Sequence, residues 1–252
     1  MGSRLQGRRA VVTGAAMGLG RASAIALAEE GAELILFDRE AEGLEETAAA
    51  VRSAGRPAHT RVLDLTVEAE IEAAFAEARA RCGPIDVLLN NVGGSARERA
   101  REFWESSSDV WRDVIGLSLM PTLFCSRQVV PEMRARKQGK IVNIASDAPL
   151  VGDSRHCDYS AAKAGVIGFT RSLARELAPF AVNVNAICPG PMHTRAVDLL
   201  PREMMERVAA AIPMQRYGRP EEVARAVVFL ACSDSDYITG QSLLVDGGRW
   251  MV

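Results

Sequence analysis

The chain has 252 residues, 48% of them hydrophobic and 25% charged, with a formal net charge of -2. That is ample apolar material for a sizeable core, which excludes disorder as the default, and the balanced charge lacks the basic surplus that nucleic acid or an anionic membrane demands. The expected partner is a small molecule. The five cysteines are scattered, odd in number and form no CxxC pair, so neither a disulfide framework nor a zinc site is indicated. His59, His156 and His193 form no metal-ligand cluster in sequence, and no metal is expected. The first ten residues lack the apolar stretch of a signal peptide, and charges or Gly/Pro interrupt every long hydrophobic run. A cytoplasmic protein with no membrane segment is expected.

In chain order, strand-like runs occur at Arg9–Thr13, Leu34–Phe37, Thr60–Leu63, Val87–Asn90, Ile141–Ser146, Val182–Ile187 and Ser242–Val245. Stretches with apolar residues at helical spacing lie between them, at Arg21–Glu30, Glu42–Ala54, Glu68–Cys82, Val110–Arg136, Ala161–Ala178 and Glu221–Ala231. Seven strands alternating with helices imply a parallel sheet. The runs are apolar at nearly every position, as in Leu34-Ile35-Leu36-Phe37, so both faces must be covered. The prediction is an α/β, Rossmann-type, doubly wound seven-stranded parallel sheet with helices on both faces. No linker or repeat divides it, so residues 1–252 read as a single dinucleotide-binding catalytic domain.

The first strand runs directly into Thr13-Gly14-Ala15-Ala16-Met17-Gly18-Leu19-Gly20, which opens a helix. A dinucleotide pyrophosphate needs backbone N–H groups at a helix N-terminus and no Cβ in its way, and Gly14, Gly18 and Gly20 supply both. Asp38 ends the second strand about 20 residues beyond the turn, where a carboxylate accepts hydrogen bonds from the adenosine ribose hydroxyls. That favours NAD over NADP, whose phosphate the carboxylate repels; the neighbouring Arg39 pulls the other way. Tyr159 and Lys163 stand four residues apart, on one face of a helix. A free tyrosine is mostly protonated at neutral pH, so a nearby ammonium is what turns it into a base for an alcohol proton. Ser146, thirteen positions earlier at the end of a strand, can hold the substrate oxygen.

Together with Asp64-Leu65, Asn90-Asn91-Val92-Gly93, Pro189-Gly190 through Thr194, Gly218-Arg219-Pro220-Glu221-Glu222 and Val245-Asp246-Gly247-Gly248, these landmarks resemble the short-chain dehydrogenase/reductase family along essentially the whole chain. The resemblance implies that Tyr159 is the acid/base, that Ser146 positions the reacting oxygen, and that Lys163 binds the nicotinamide ribose and lowers the tyrosine pKa. It assigns cofactor contacts to Gly14, Met17, Gly18, Leu19, Gly20, Asp38 and Arg39, then to Asp64, Leu65, Asn90, Pro189, Met192 and Thr194. Ser118 departs from the pattern, because the family usually has there an asparagine that holds a water in the proton relay.

Substrate specificity is expected from three loops above the strand ends: Gly94–Ser108, Asp147–Asp158 and His193–Pro213. Arg97, Arg99 and Arg101 in the first have two readings, contacts for an anionic substrate or a solvated group with Glu98 and Glu102 as partners, and the second is favoured. Arg155 and His156, between Ser146 and Tyr159, are the expected contacts for an anionic substrate. Asn90-Asn91-Val92-Gly93-Gly94, followed by Ser118–Cys125 and Pro131-Glu132-Met133, resembles bacterial dehydrogenases of benzoate-derived cis-diol carboxylates. The expected function is NAD-dependent interconversion of a secondary, cyclic alcohol or diol and its ketone. Two alternatives remain, a 3-oxoacyl-thioester reductase and a non-catalytic cofactor-binding sensor. The long helices Val110–Arg136 and Ala161–Ala178 are more apolar than one sheet face requires, and the resemblance implies pairing into a homotetramer, with a dimer as the second expectation.

Overall fold

The computed structural model describes residues 3–194, 197 and 201–251. Seven strands, β1 (Arg9–Thr13), β2 (Glu33–Asp38), β3 (Ala58–Val62), β4 (Val87–Asn90), β5 (Gly139–Ile144), β6 (Val182–Pro189) and β7 (Ser242–Val245), form one sheet in the order β3-β2-β1-β4-β5-β6-β7. Every pairing is parallel. Helices connect them: α1 (Gly18–Glu29), α2 (Ala41–Ser53), α3 (Glu68–Cys82), α4 (Ser108–Ser118), α5 (Met120–Arg136), α6 (Ala148–Val151), α7 (Cys157–Leu177), α8 (Arg202–Ala210) and α9 (Pro220–Ala231).

The continuous apolar strands have the consequence their composition requires. Ala10 and Val12, Leu34 and Leu36, Val87 and Leu89 enter a core shared with α1, α2 and α9. The alternate residues Val11, Ile35 and Leu88 enter a second core with α3, α5 and α7. Phe37 and Phe75, both fully buried, meet edge to face at 5.3 Å in that second core. Truncating either to alanine costs about 3–5 kcal/mol. After β3 the chain crosses back to place β4 beside β1, so strand order reverses between them. In open α/β sheets a crevice forms outside the carboxyl ends of the strands at such a reversal.

The elements differ from expectation where local chemistry intervenes. The stretch Val110–Arg136 is two helices, since Pro121 offers no N–H to the preceding turn and the chain leaves helical geometry at Leu119 (φ -123°, ψ -52°). Taken together, Ser108–Arg136 is long and apolar enough to span a membrane by composition. Its buried side chains Cys125, Val129 and Met133 face the sheet core instead. Helix α7 starts at Cys157, four residues earlier than expected, which brings Tyr159 into its first turn. Strand β5 ends at Ile144, so Ser146 lies in the loop just beyond it. Helix α8 lies inside what sequence reads as the loop His193–Pro213.

Candidate active site

A cavity of about 900 Å³ opens at the carboxyl ends of the central strands. Gly14, Met17, Leu19, Asp38, Arg39, Asp64 and Leu65 line one end, and Ser146, His156, Tyr159 and Lys163 the other, with Pro189, Met192 and Thr194 between them on the β6 side. Gly18 and Gly20 shape the turn without lining the cavity. Gly14 and Gly18 both adopt left-handed backbone (φ 64° and 55°), and a Cβ on Gly20 would lie 1.9 Å from the Gly14 carbonyl oxygen. The turn therefore accepts only glycine at these points. Asn91 fastens it: its amide nitrogen donates to the carbonyls of Thr13 (3.1 Å) and Gly14 (3.0 Å), and its backbone N–H donates to Thr13 Oγ1 (2.9 Å). Asp38 Oδ2 accepts the Ala16 amide at 2.9 Å and Oδ1 the Glu40 amide at 3.0 Å, so the carboxylate is held at the cavity wall with lone pairs to spare. Such a glycine cradle at a helix start, with an acid at the next strand end, fits a dinucleotide.

At the other end, Lys163 is buried at the core side of α7, and its ammonium donates to the Ile144 carbonyl at 2.7 Å. A Cβ on Gly93 would come within 2.9 Å of that Nζ, so the glycine makes room for the lysine. Burial pushes Lys163 down to about 8. Lys163 Nζ lies 5.9 Å from the centroid of the Tyr159 ring. Burial also pushes the Tyr159 phenol up, while its hydrogen bond with Ser146 and the charge of Arg97 act in the opposite sense. Ser146 Oγ also accepts the Ala148 amide at 3.1 Å, which fixes its rotamer toward the site.

Several predicted residues lie elsewhere. Asn90 is buried beneath the cavity, donating to Ser126 Oγ (3.0 Å) and Asn143 Oδ1 (2.8 Å); Asn143 in turn donates to Thr170 Oγ1 (2.9 Å). Its neighbour Asn91 takes the place at the wall. Ser118 is fully buried and closes a ring with Gly94, accepting its N–H (3.0 Å) and donating to its carbonyl (2.9 Å). Its hydroxyl holds the loop after β4. Arg155 is mostly exposed, outside the cavity lining, and paired with Glu102 at 3.0 Å. Neither Asp153 nor Asp158 is its partner, since Asp153 binds Arg249 (2.7 Å) and Asp158 accepts the Tyr159 amide (2.8 Å). His59 pairs with Glu33 at 3.0 Å, and with Cys82 they place three ligand-type atoms within 4.8 Å. Arg9, 3.7 Å from the same carboxylate, already supplies positive charge there.

Sequence reasoning missed Arg249, whose guanidinium bridges Asp147 (2.9 Å) and Asp153 (2.7 Å) at the cavity wall. It lies 102 positions from Asp147, and no local pattern marks it. Tyr217 and Arg207 also line the cavity unannounced, though Tyr217 directly precedes the landmark Gly218-Arg219-Pro220.

The sequence profile of the enoyl-(acyl carrier protein) reductase family matches residues 14–249. The chain is 40% identical to cis-4-hydroxycyclohexanecarboxylate dehydrogenase of Sinomonas cyclohexanicum over 248 residues, 98% of each chain. It is 36% identical to 3-oxoacyl-(acyl-carrier-protein) reductase of Thermotoga maritima over 245 residues, 97% of this chain and 98% of that one. The crystal structure of levodione reductase superposes with a TM-score of 0.94 at 33% identity, covering 98% of both chains. The chain belongs to the short-chain dehydrogenase/reductase family. It is an oxidoreductase interconverting alcohols and ketones with a nicotinamide dinucleotide.

Proposed function

We propose that the protein oxidises a ring secondary alcohol to the ketone, or the reverse, with NAD as its preferred cofactor and Tyr159 as the acid/base. The observation that carries this reading is the convergence of Ser146, Tyr159 and Lys163 on one cavity wall, with Ser146 acting to lower the phenol and the glycine cradle in the same cavity. NAD, when bound, supplies the nicotinamide that accepts hydride from the carbinol carbon. Gly14, Met17, Leu19 and Asp38 would hold its adenosine and pyrophosphate side, with Met192 and Thr194 nearer the nicotinamide. Ser146 orients the substrate oxygen and Tyr159 takes its proton. Because burial raises the phenol, its base form depends on positive charge nearby, which Lys163 provides, and oxidation should quicken as pH rises from neutral.

Asp38 supports NAD because its carboxylate would meet the ribose diol, whereas a 2′-phosphate at that point would meet like charge. The cyclic substrate rests on similarity to a relative named for a hydroxycyclohexanecarboxylate. The free thiols of all five cysteines support a cytoplasmic setting. Partly exposed Ile115 on α4 supports helix pairing into a homotetramer; light scattering at micromolar concentration checks it, and a monomer refutes it.

The test is NADH or NADPH formation with a panel of cyclic alcohols, the two cofactors in parallel. NAD should be favoured at least about tenfold in kcat/KM, equivalent to about 1.4 kcal/mol. Tyr159→Phe should lose on the order of 100-fold or more in turnover while still binding NAD. Near-normal turnover by that variant rejects the assigned acid/base.

A further inference from the structure

The charges around the substrate end of the cavity are unevenly satisfied. Its acids, Asp147 and Asp153, are both held by Arg249. Arg155, the cation next to the catalytic tyrosine in sequence, is held by Glu102. In the loop after β4, Arg99 pairs with Asp113 at 2.8 Å and Arg101 donates to the Ala100 carbonyl. Arg97 alone of that trio lines the cavity, and its guanidinium has no hydrogen bond or ion pair among the described residues. It enters through Ala96 in left-handed backbone (φ 44°), a strained step that turns the chain there.

Tyr217 forms part of the same wall. Its backbone is anchored next door, where His193 N donates to the Gly218 carbonyl at 2.7 Å, and its ring stands edge-on to His193 at 6.3 Å. The Tyr217 hydroxyl is buried and has no hydrogen-bond partner among the described residues. A buried hydroxyl without a partner is costly, so a cavity wall that keeps one invites a ligand acceptor. Arg97, Tyr159 and Tyr217 line the same cavity, and both phenols, raised by burial, feel the charge of Arg97. Arg207, from α8, adds positive charge to this wall.

We propose that Arg97 and Tyr217 form a carboxylate subsite, so that the substrate is a ring alcohol bearing an acid group; this rests on the dehydrogenase reading above. A guanidinium fork takes both carboxylate oxygens, and one phenol O–H completes a set suited to a monoanion. His156 is not part of it. Its Nδ1 lies 3.2 Å from the Ser154 carbonyl, which can only accept, so in the neutral ring Nδ1 carries the proton and Nε2 is left an acceptor.

The experiment compares kcat/KM for a hydroxycyclohexanecarboxylate with that for its methyl ester, and in parallel measures benzoate binding to the NAD-loaded protein by calorimetry. In Arg97→Gln the carboxylate-to-ester ratio should fall at least tenfold and benzoate affinity likewise. Tyr217→Phe should lower both about threefold, and Arg97→Lys should recover part of the loss. A ratio and a benzoate affinity unchanged in Arg97→Gln and Tyr217→Phe overturn the subsite, even if ring alcohols are oxidised. Arg97-dependent benzoate binding without turnover of either alcohol keeps the subsite and removes the ring-alcohol reading. No benzoate binding by the unsubstituted protein, with equal use of acid and ester, also overturns it.

Discussion

The proposed cofactor end and the proposed substrate end of the cavity are built by different means. At the cofactor end the backbone itself is the constraint: Gly14 and Gly18 in left-handed conformation, Gly20 against the Gly14 carbonyl, and Asn91 bonded to both turn carbonyls. Such a structure leaves little choice of residue, and its requirements sit within a few positions of one another. At the substrate end the geometry comes from side chains of distant segments, such as Arg249 on Asp147 and Asp153 or Arg155 on Glu102. The difference teaches that rigid phosphate cradles are written locally, whereas pocket walls are written in pairs.

The largest expected effect breaks the rigid side. Gly20→Ala places a Cβ where the Gly14 oxygen already is, and neither atom belongs to a flexible side chain. NAD affinity should fall at least about 100-fold, the order expected when a backbone donor to a buried anion is displaced. Thermal denaturation should show a lowered Tm as well. Normal NAD titration and an unchanged Tm would show the turn to be pliable and the contrast between the two ends unfounded.

On the substrate side the strongest effect should come from Arg249→Ala. Asp147 is 3% exposed, and removing its partner leaves a carboxylate buried alone, which costs about 3 kcal/mol. Burial already raises Asp147 above the usual carboxylate range while Arg249 pulls it down, so the variant raises it further. With the folded value above the unfolded one, the native state binds the proton more tightly and its stability grows as pH falls. The Tm deficit of the variant should therefore be larger at pH 8 than at pH 5. A deficit that widens toward acid would contradict an ionised Asp147 as its cause.

Much of this was legible in the residues, and unevenly. The strand runs Arg9–Thr13, Val87–Asn90 and Ser242–Val245 and helix Glu68–Cys82 read to the residue, since apolar runs and helical spacing are local signals. The break at Leu119 was carried by Pro121 but masked by the continuous apolar pattern around it. Asn90 and Asn91 could not be told apart as letters; only the direction of β4 sends the first beneath the cavity and the second to its wall. Tyr217 escaped, and Arg97 could not be told from Arg99 and Arg101, because a free guanidinium and an unpartnered hydroxyl are defined by what other segments fail to offer them, which no sequence window contains.

The smallest effect expected, and the sharpest test of how the rim is held, is at Arg155. Its ion pair with Glu102 joins side chains that are 62% and 36% exposed, and such pairs contribute about 0–1 kcal/mol. Arg155 also sits at φ 65°, left-handed backbone that a side chain adopts at a cost of about 1 kcal/mol or more. The two terms have opposite sign, so two substitutions separate them. Arg155→Ala removes the pair and keeps the strain, and should lower stability by less than about 1 kcal/mol. Arg155→Gly removes both, and relief of the strain should offset the lost pair, leaving Tm at or above that of Arg155→Ala despite the greater freedom of the unfolded glycine chain. If Arg155→Gly instead melts well below Arg155→Ala, the left-handed turn is not a strained point. Turnover of a carboxylated ring alcohol gives the functional half of the same test. With Arg155 facing solvent, its removal should change KM less than twofold, whereas a loss comparable to that of Arg97→Gln would put the anion contact back where the sequence alone had it.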